Sequence, residues 1–339
     1  MPKLETEEVQ QQPRSNAEQP PSGVPHISQT STERLQAAVH DQALNVDALV
    51  ESDATSADAL KSSKKTILYL AYGSNLSSVT FRKTRGIVPI SQVNVYVPDL
   101  ELTFDLPGLP YLEPCFAGTQ YRQHPPDAEE PAVNGSEKTA LLDAHWRRNP
   151  IWPKPLVGVV YEVTLSDYAR IIATEGGGSS YIDIVVDCHP FPADYDPAKP
   201  VPESPATPAF KAHTLLSPRA KKDPSSHTYR RPYYARPSLR YKNLLVTGAQ
   251  EHNLPAEYRA YLSSFPAYQA TGLGQKMGRA IFGMLWGPLL LSLLMLSKLV
   301  ADDKGRSPPW LAKAHKALFE GVWWSYDTIF VHVFGDGER

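Results

Sequence analysis

Residues 66–71, Thr-Ile-Leu-Tyr-Leu-Ala, are a run of β-branched and apolar side chains that stops at Tyr72-Gly73-Ser74-Asn75-Leu76. The run reads as a strand. A chain that leaves a sheet through Gly, Ser and Asn exposes backbone N–H groups at the sheet's end. Such a turn can hold a carboxylate or a developing oxyanion. Gly-Ser-Asn is also ordinary turn chemistry, and the turn alone does not choose between the two.

The segments that follow narrow the fold. Gln92–Phe104 alternates apolar and polar positions, with Val93, Val95 and Val97, then Leu100, Leu102 and Phe104. This predicts one long strand, or two broken near Pro98-Asp99. Gly108–Ala117 reads as an ordered, Pro-punctuated loop and Gln120–Pro155 as a polar surface insertion. Leu156–Thr164 is a second clear strand, and Ser166-Asp167 caps a short helix through Ala173. Tyr181–Cys188 is again a strand, Pro190–Pro208 an irregular excursion, and Phe210–Leu216 a further strand. Ser238 caps a helix to about His252, and Pro255 suits the first position of another. Strands followed by helices, without a regular βαβ repeat, predict a mixed α+β fold, a small barrel being one form of it.

Composition divides the chain. Residues 1–64 are rich in Gln, Ser, Pro, Ala, Asp and Glu and almost free of aromatics, which predicts a disordered tail. A short helix within Glu33–Val50 is compatible with that tail, since Leu35, Ala38 and Leu44 roughly share a face. Residues 65–270 form the expected folded domain, with insertions at about 118–155 and 190–236, and 271–339 an apolar helical tail. Most of the 32 prolines fall outside the apolar runs, as linkers and long loops require. A net charge of −2 gives no overall field for nucleic acid, so no nucleic-acid partner is expected. The two cysteines, Cys115 and Cys188, form no CxxC and read as buried thiols of a reducing compartment. The N-terminus starts no apolar signal segment, which makes the cytoplasmic side the default.

Ile281 to Ser297 carries no charged side chain and is at the short limit for a membrane span. Three readings stand: a helical hairpin packed against Trp310–Phe334 or lying at an interface, membrane contact through 281–300, and a partner-binding surface.

Glu175 is the sharpest single residue. It closes the apolar helix of Tyr168-Ala169-Arg170-Ile171-Ile172-Ala173 and precedes three glycines. A carboxylate at a helix C-terminus faces the negative end of the dipole, and glycines admit close approach of a ligand or another backbone. A carboxyl group so placed tends towards a raised pKa and can shuttle a proton. An exposed Glu at the edge of a glycine loop is the alternative. Arg230-Arg231, Lys221-Lys222 and His145 read as solvated surface, and Cys188-His189 is a poor metal pair. No phosphate loop, dinucleotide fingerprint or nucleophile elbow occurs.

The chain resembles the γ-glutamylcyclotransferases. The likeness is carried by Tyr69-Leu70-Ala71-Tyr72-Gly73-Ser74-Asn75-Leu76, by Gly158-Val159-Val160-Tyr161 with Glu175-Gly176 and Tyr181, and by Pro237-Ser238, Tyr241, Gly248-Ala249, Leu254-Pro255, Glu257-Tyr258 and Leu262. It spans about residues 66–268. The Gly108–Ala117 loop and the apolar tail are similar to a fungal subgroup, some members of which accompany gliotoxin-type, epidithiodiketopiperazine toxin pathways in which glutathione adducts are trimmed.

The resemblance implies a distorted small β-barrel with flanking helices and a cofactor-free, metal-free reaction on a small-molecule γ-glutamyl substrate. The substrate's α-amine attacks its own γ-carbonyl, 5-oxoproline forms, and the remaining amine leaves. It implies Glu175 as general base. It implies that Tyr72, Gly73, Ser74, Asn75 and Leu76 hold the α-carboxylate and the oxyanion. Tyr181 lines the pocket or belongs to the core. The motif reads Tyr-Gly-Ser-Asn rather than the Tyr-Gly-Ser-Leu of glutathione-specific relatives, which favours γ-glutamyl amino acids or bulky glutathione conjugates over free glutathione. A binding protein that holds such a ligand without turnover, or a membrane-anchored scaffold, is the competing reading.

Overall fold

The computed structural model describes residues 27–42, 65–122, 150, 152–174, 182–216, 228, 234–300 and 309–339. Among these, β1 (Ser28–Gln29) and α1 (Thr32–Ala37) precede β2 (Thr66–Ala71), β3 (Ser91–Val97), β4 (Leu100–Leu109), β5 (Glu113–Tyr121) and β6 (Leu156–Thr164). Then come α2 (Leu165–Thr174), β7 (Ile182–Pro190), β8 (Phe210–Leu216), α3 (Leu239–Glu251) and α4 (Ala256–Ser264). The chain ends in α5 (Leu273–Val300), α6 (Pro309–Ser325) and α7 (Val331–Phe334).

Five strands close on themselves in the order β3-β6-β2-β8-β7, with β7 returning to β3 through Val95 opposite Pro190 and Tyr96 opposite His189. Every neighbouring pair in this barrel is antiparallel except β2 with β8. The near-continuous apolar runs of β2 and β6 follow from burial on both faces, inward in the barrel and outward under other elements. The expected α+β small barrel with flanking helices is the observed architecture.

The long alternating segment is two strands, β3 and β4, separated at Pro98-Asp99. The expected loop at Gly108–Ala117 is instead the turn and second arm of a β4–β5 hairpin, with Pro107 opposite Cys115 and Leu109 opposite Glu113. A two-stranded ribbon has free edges, so its prolines forfeit no ladder bond on their outer side. β5 extends to Tyr121, so the proposed insertion starts later than 118; residues 123–149 lie outside the described set. Both cysteines are buried and free.

Part of the N-terminal segment departs from the expectation of a featureless tail. Ser28 and Gln29 pair in parallel with Ser91 and Gln92 of β3, and Ala38 is fully buried in the main core. Arg34 on α1 donates to Glu162 (3.1 Å), which also accepts from the hydroxyls of Thr66 (2.6 Å) and Ser91 (2.7 Å). One half-buried carboxylate thus ties three strands to α1. Composition over 64 residues averages out so short an anchor.

α5 and α6 pack as a hairpin around a second core of Tyr111, Phe282, Val322, Trp323, Tyr326 and Phe330. Trp286 donates to Ser325 across the pair (3.1 Å). Tyr111, at the tip of the β4–β5 hairpin, enters this core with φ 63, its amide donating to Gly337 O (2.8 Å) and its hydroxyl 2.7 Å from Gly335 O. Among the described residues no helix is long and apolar enough to cross a membrane, and Pro288 lies inside α5. The packed hairpin therefore replaces the span considered at 281–297.

Candidate active site

The cleft lies where β2 leaves the barrel. Tyr69 and Tyr72 from β2 and its exit, Gly73, Ser74 and Asn75 from the turn, Ala117 from β5, Leu215 from β8 and Tyr241 from α3 line about 290 Å³ counted to the open mouth. Residues 74–76 form one 3-10 turn: Leu76 N–H donates to Gly73 O (3.0 Å) and Ser77 N–H to Ser74 O (3.1 Å). The amides of Gly73 and Ser74 make no backbone hydrogen bond among the described residues. They are the orphan donors of a short helical N-terminus, the kind of group that receives an anion.

Side chains fix the walls. The Tyr72 hydroxyl donates to Leu215 O (2.6 Å), fastening the exit of β2 to β8. Asn75 Nδ2 donates to the Tyr69 hydroxyl (2.8 Å), and Asn75 is buried. Opposite the turn, Ala117 N–H donates to the Tyr241 hydroxyl (3.1 Å), and Phe116 meets the Tyr241 ring edge-on at 5.1 Å. None of the eight described lining residues is a carboxylate, a histidine or a cation.

The turn is held from behind by α3. Gly248 lies so close that a Cβ there would stand 2.5 Å from the Leu76 carbonyl carbon and 2.6 Å from Ser77 N. Ser78 N–H donates to Glu251 (2.8 Å). His252 Nε2 is 3.0 Å from Leu76 O and 2.7 Å from the Tyr161 hydroxyl. A carbonyl only accepts, so Nε2 carries the proton of the neutral ring. Nδ1 is buried and has no hydrogen-bond partner among the described residues. Burial pushes the His252 pKa down, against a smaller upward pull from the Leu76 contact and Glu251.

Of the residues singled out from the sequence, Tyr72, Gly73, Ser74 and Asn75 share one cleft wall. Leu76 is fully buried beneath it and contributes through its backbone. Glu175 and Tyr181 lie outside the described residues. Sequence reasoning gave no role to Tyr69, Ala117, Leu215 or Tyr241. Tyr69 and Tyr241 had a readable signal, since both stand in the segments that carry the family resemblance. Ala117 and Leu215 carried none, because they reach the cleft only through the tertiary fold.

Comparison with known proteins gives three kinds of similarity. Residues 273–333 match the family model described as the AclK C-terminal domain. The chain is 34% identical over 282 residues to Gamma-glutamyl cyclotransferase gliK of Aspergillus fumigatus, covering 83% of this chain and 92% of that protein. It is 30% identical over 280 residues to Gamma-glutamyl cyclotransferase aclK of Aspergillus oryzae, covering 81% and 90%. A solved structure titled Gamma-glutamyl cyclotransferase aligns at 20% identity over 61% of this chain and 92% of that one, with a TM-score of 0.39.

Two outcomes are expected of the turn's support. Gly248→Ala should cost about 1–3 kcal/mol, because neither neighbour is a flexible side-chain end; urea unfolding measures it. For His252 the folded pKa lies below the unfolded one. Its contribution is therefore complete above the unfolded value of about 6.5 and is lost as pH falls towards the folded value. Stability should decline below pH 6.5 by up to about 1.4 kcal/mol per pH unit for this one proton, and His252→Gln should remove that share of the slope.

Proposed function

The chain belongs to the γ-glutamyl cyclotransferase family, and on that footing we propose that it cyclises the γ-glutamyl group of a small molecule to 5-oxoproline and frees the remaining amine. The observation that carries the reading is the pair of Gly73 and Ser74 amides, which among the described residues have no backbone partner, in a cleft whose described lining is neutral. The substrate's α-carboxylate, or the oxyanion formed when its γ-carbonyl is attacked, needs such donors.

The steps balance without an external reagent. The α-amine nitrogen bonds to the γ-carbonyl carbon, and the amide C–N bond to the leaving amine breaks. The α-ammonium nitrogen gives up two protons as it becomes the lactam N–H, and both end on the departing nitrogen, which leaves the amide as an ammonium. Glu175 is our candidate for the carrier, as base and then acid. Its support is its place in the family motif and the lack of a charged group among the described lining residues. Because the attack is intramolecular, holding the γ-glutamyl chain folded is a large part of the catalysis. Tyr72, Asn75 and Tyr181 are assigned to that binding, and Leu76 supports the turn from beneath, its N–H bonded to Gly73 O and its carbonyl to His252. The Asn at position 75 favours γ-glutamyl amino acids or bulky glutathione conjugates, and trimming of glutathione adducts in toxin biosynthesis is the pathway assigned.

α5 leaves the apolar residues Met277, Met284, Leu285, Leu289 and Met295 exposed, and near its start it also exposes Lys276 and Arg279. We assign this face to peripheral contact with an anionic lipid surface.

Glu175→Gln should keep the fold and lower 5-oxoproline release at least about a hundredfold, read with γ-glutamyl dipeptides, glutathione and a glutathione S-conjugate as substrates. Full activity in that variant removes Glu175 from the mechanism. Co-sedimentation of the full chain with anionic vesicles, reversed by carbonate, is expected; absence of binding overturns the lipid assignment.

A further inference from the structure

A second cluster of titratable side chains is buried where α2 meets β7 and β8, apart from the cleft lining. Asp183 of β7 and His213 of β8 have side chains only 1% and 2% exposed, and His213 Nδ1 lies 3.3 Å from both Asp183 carboxylate oxygens. The Tyr168 hydroxyl of α2 donates to Asp183 Oδ1. A carboxylate only accepts, so Nδ1 is the protonated ring nitrogen of His213. Burial, and then the Asp183 charge, hold the Tyr168 hydroxyl well above its usual range, so it remains a donor.

A buried carboxylate is costly unless its oxygens are hydrogen-bonded. An apolar residue at 183 would pack an interior of this kind without that cost, and the strand around it is otherwise Ile182, Ile184, Val185 and Val186. The cluster's position accounts for its presence. Tyr168 and Asp183 stand on the two described elements, α2 and β7, that bracket residues 175–181 in the chain. Their hydrogen bond joins the stems of the segment that contains Glu175. The same side chains reach towards the cleft. The Tyr168 ring lies 6.0 Å from that of Tyr69, whose hydroxyl holds Asn75, and 5.4 Å from the His213 ring. Asp183 is the register partner of Leu215, whose carbonyl holds Tyr72.

We propose that Tyr168, Asp183 and His213 are positioning residues, a buried clamp that fixes the stems of the Glu175 segment to the strands bearing the Tyr69–Asn75 turn. This rests on the cyclotransferase reading for its kinetic consequence, and its physical content is separate. The three act through other groups. Deleting one hydrogen bond at constant shape should therefore change turnover more than substrate binding.

The test is Tyr168→Phe in the full chain, with Asp183→Asn as a second near-isosteric change. Two measurements are made: kcat and KM for 5-oxoproline release, and amide hydrogen exchange of residues 175–182. Expected is a kcat at least tenfold lower with KM within about twofold, a folded protein by near-UV circular dichroism, and exchange at 175–182 at least tenfold faster. Should Asp183→Asn fail to fold, Tyr168→Phe decides alone, since it removes only one oxygen. A lowered melting temperature with unchanged kcat per folded molecule and unchanged exchange would mean a structural role only, and overturns the proposal. If the wild type releases no 5-oxoproline from any substrate, the activity reading fails by itself. The exchange measurement then still decides the clamp: faster exchange supports it and unchanged exchange ends it.

Discussion

The return of β7 onto β3 is the contact from which the site follows. Val95–Pro190 and Tyr96–His189 make it in register, with Phe191 N–H donating to Asn94 O (3.3 Å) beside them, and it converts an open sheet into a closed barrel. Closure removes two edges and keeps β8 beside β2, in the parallel pairing of Tyr69 with His213. That neighbourhood brings Leu215 to the exit of β2, where its carbonyl receives the Tyr72 hydroxyl.

A second constraint acts on the turn from outside. Gly248 lets α3 lie against the backbone of Leu76 and Ser77, and Glu251 and His252 on the same helix end satisfy Ser78 N–H and Leu76 O. The turn is therefore gripped from barrel and helix at once, while the amides of Gly73 and Ser74 are left open. Preorganised donors stabilise developing charge because they need no reorientation when it forms. The β4–β5 hairpin extends this frame. Ala117 walls the cleft, and Tyr111 at the tip is buried in the C-terminal core, so one ribbon joins the cleft to the helical hairpin.

Much of this was legible locally. The strand Thr66–Ala71, its turn, the strands Leu156–Thr164 and Phe210–Leu216, and the Ser238 cap each declare themselves within a few residues. Period-two alternation and capping chemistry are short-range signals. The β4–β5 hairpin was missed because prolines at 107, 110 and 114 suggest a loop, and only an isolated ribbon tolerates them. The N-terminal anchor was missed because Arg34 finds Glu162 128 positions away, and nothing near Arg34 announces it. His213 and Asp183 had a faint signal, each a polar residue within an apolar strand, but not the fact that they meet.

The sequence by itself determined the family motifs, the α+β composition of elements, the turn that faces the cleft and the glutamate proposed as base, since these depend on residue identity and near neighbours. Only the tertiary structure decided that Leu215, Ala117 and Tyr241 complete the cleft, that Tyr168, Asp183 and His213 share one interior, and that the apolar tail packs as a hairpin on Tyr111. These are pairings between distant segments. They are set by barrel closure and by the volume each core must fill, which local pattern does not encode.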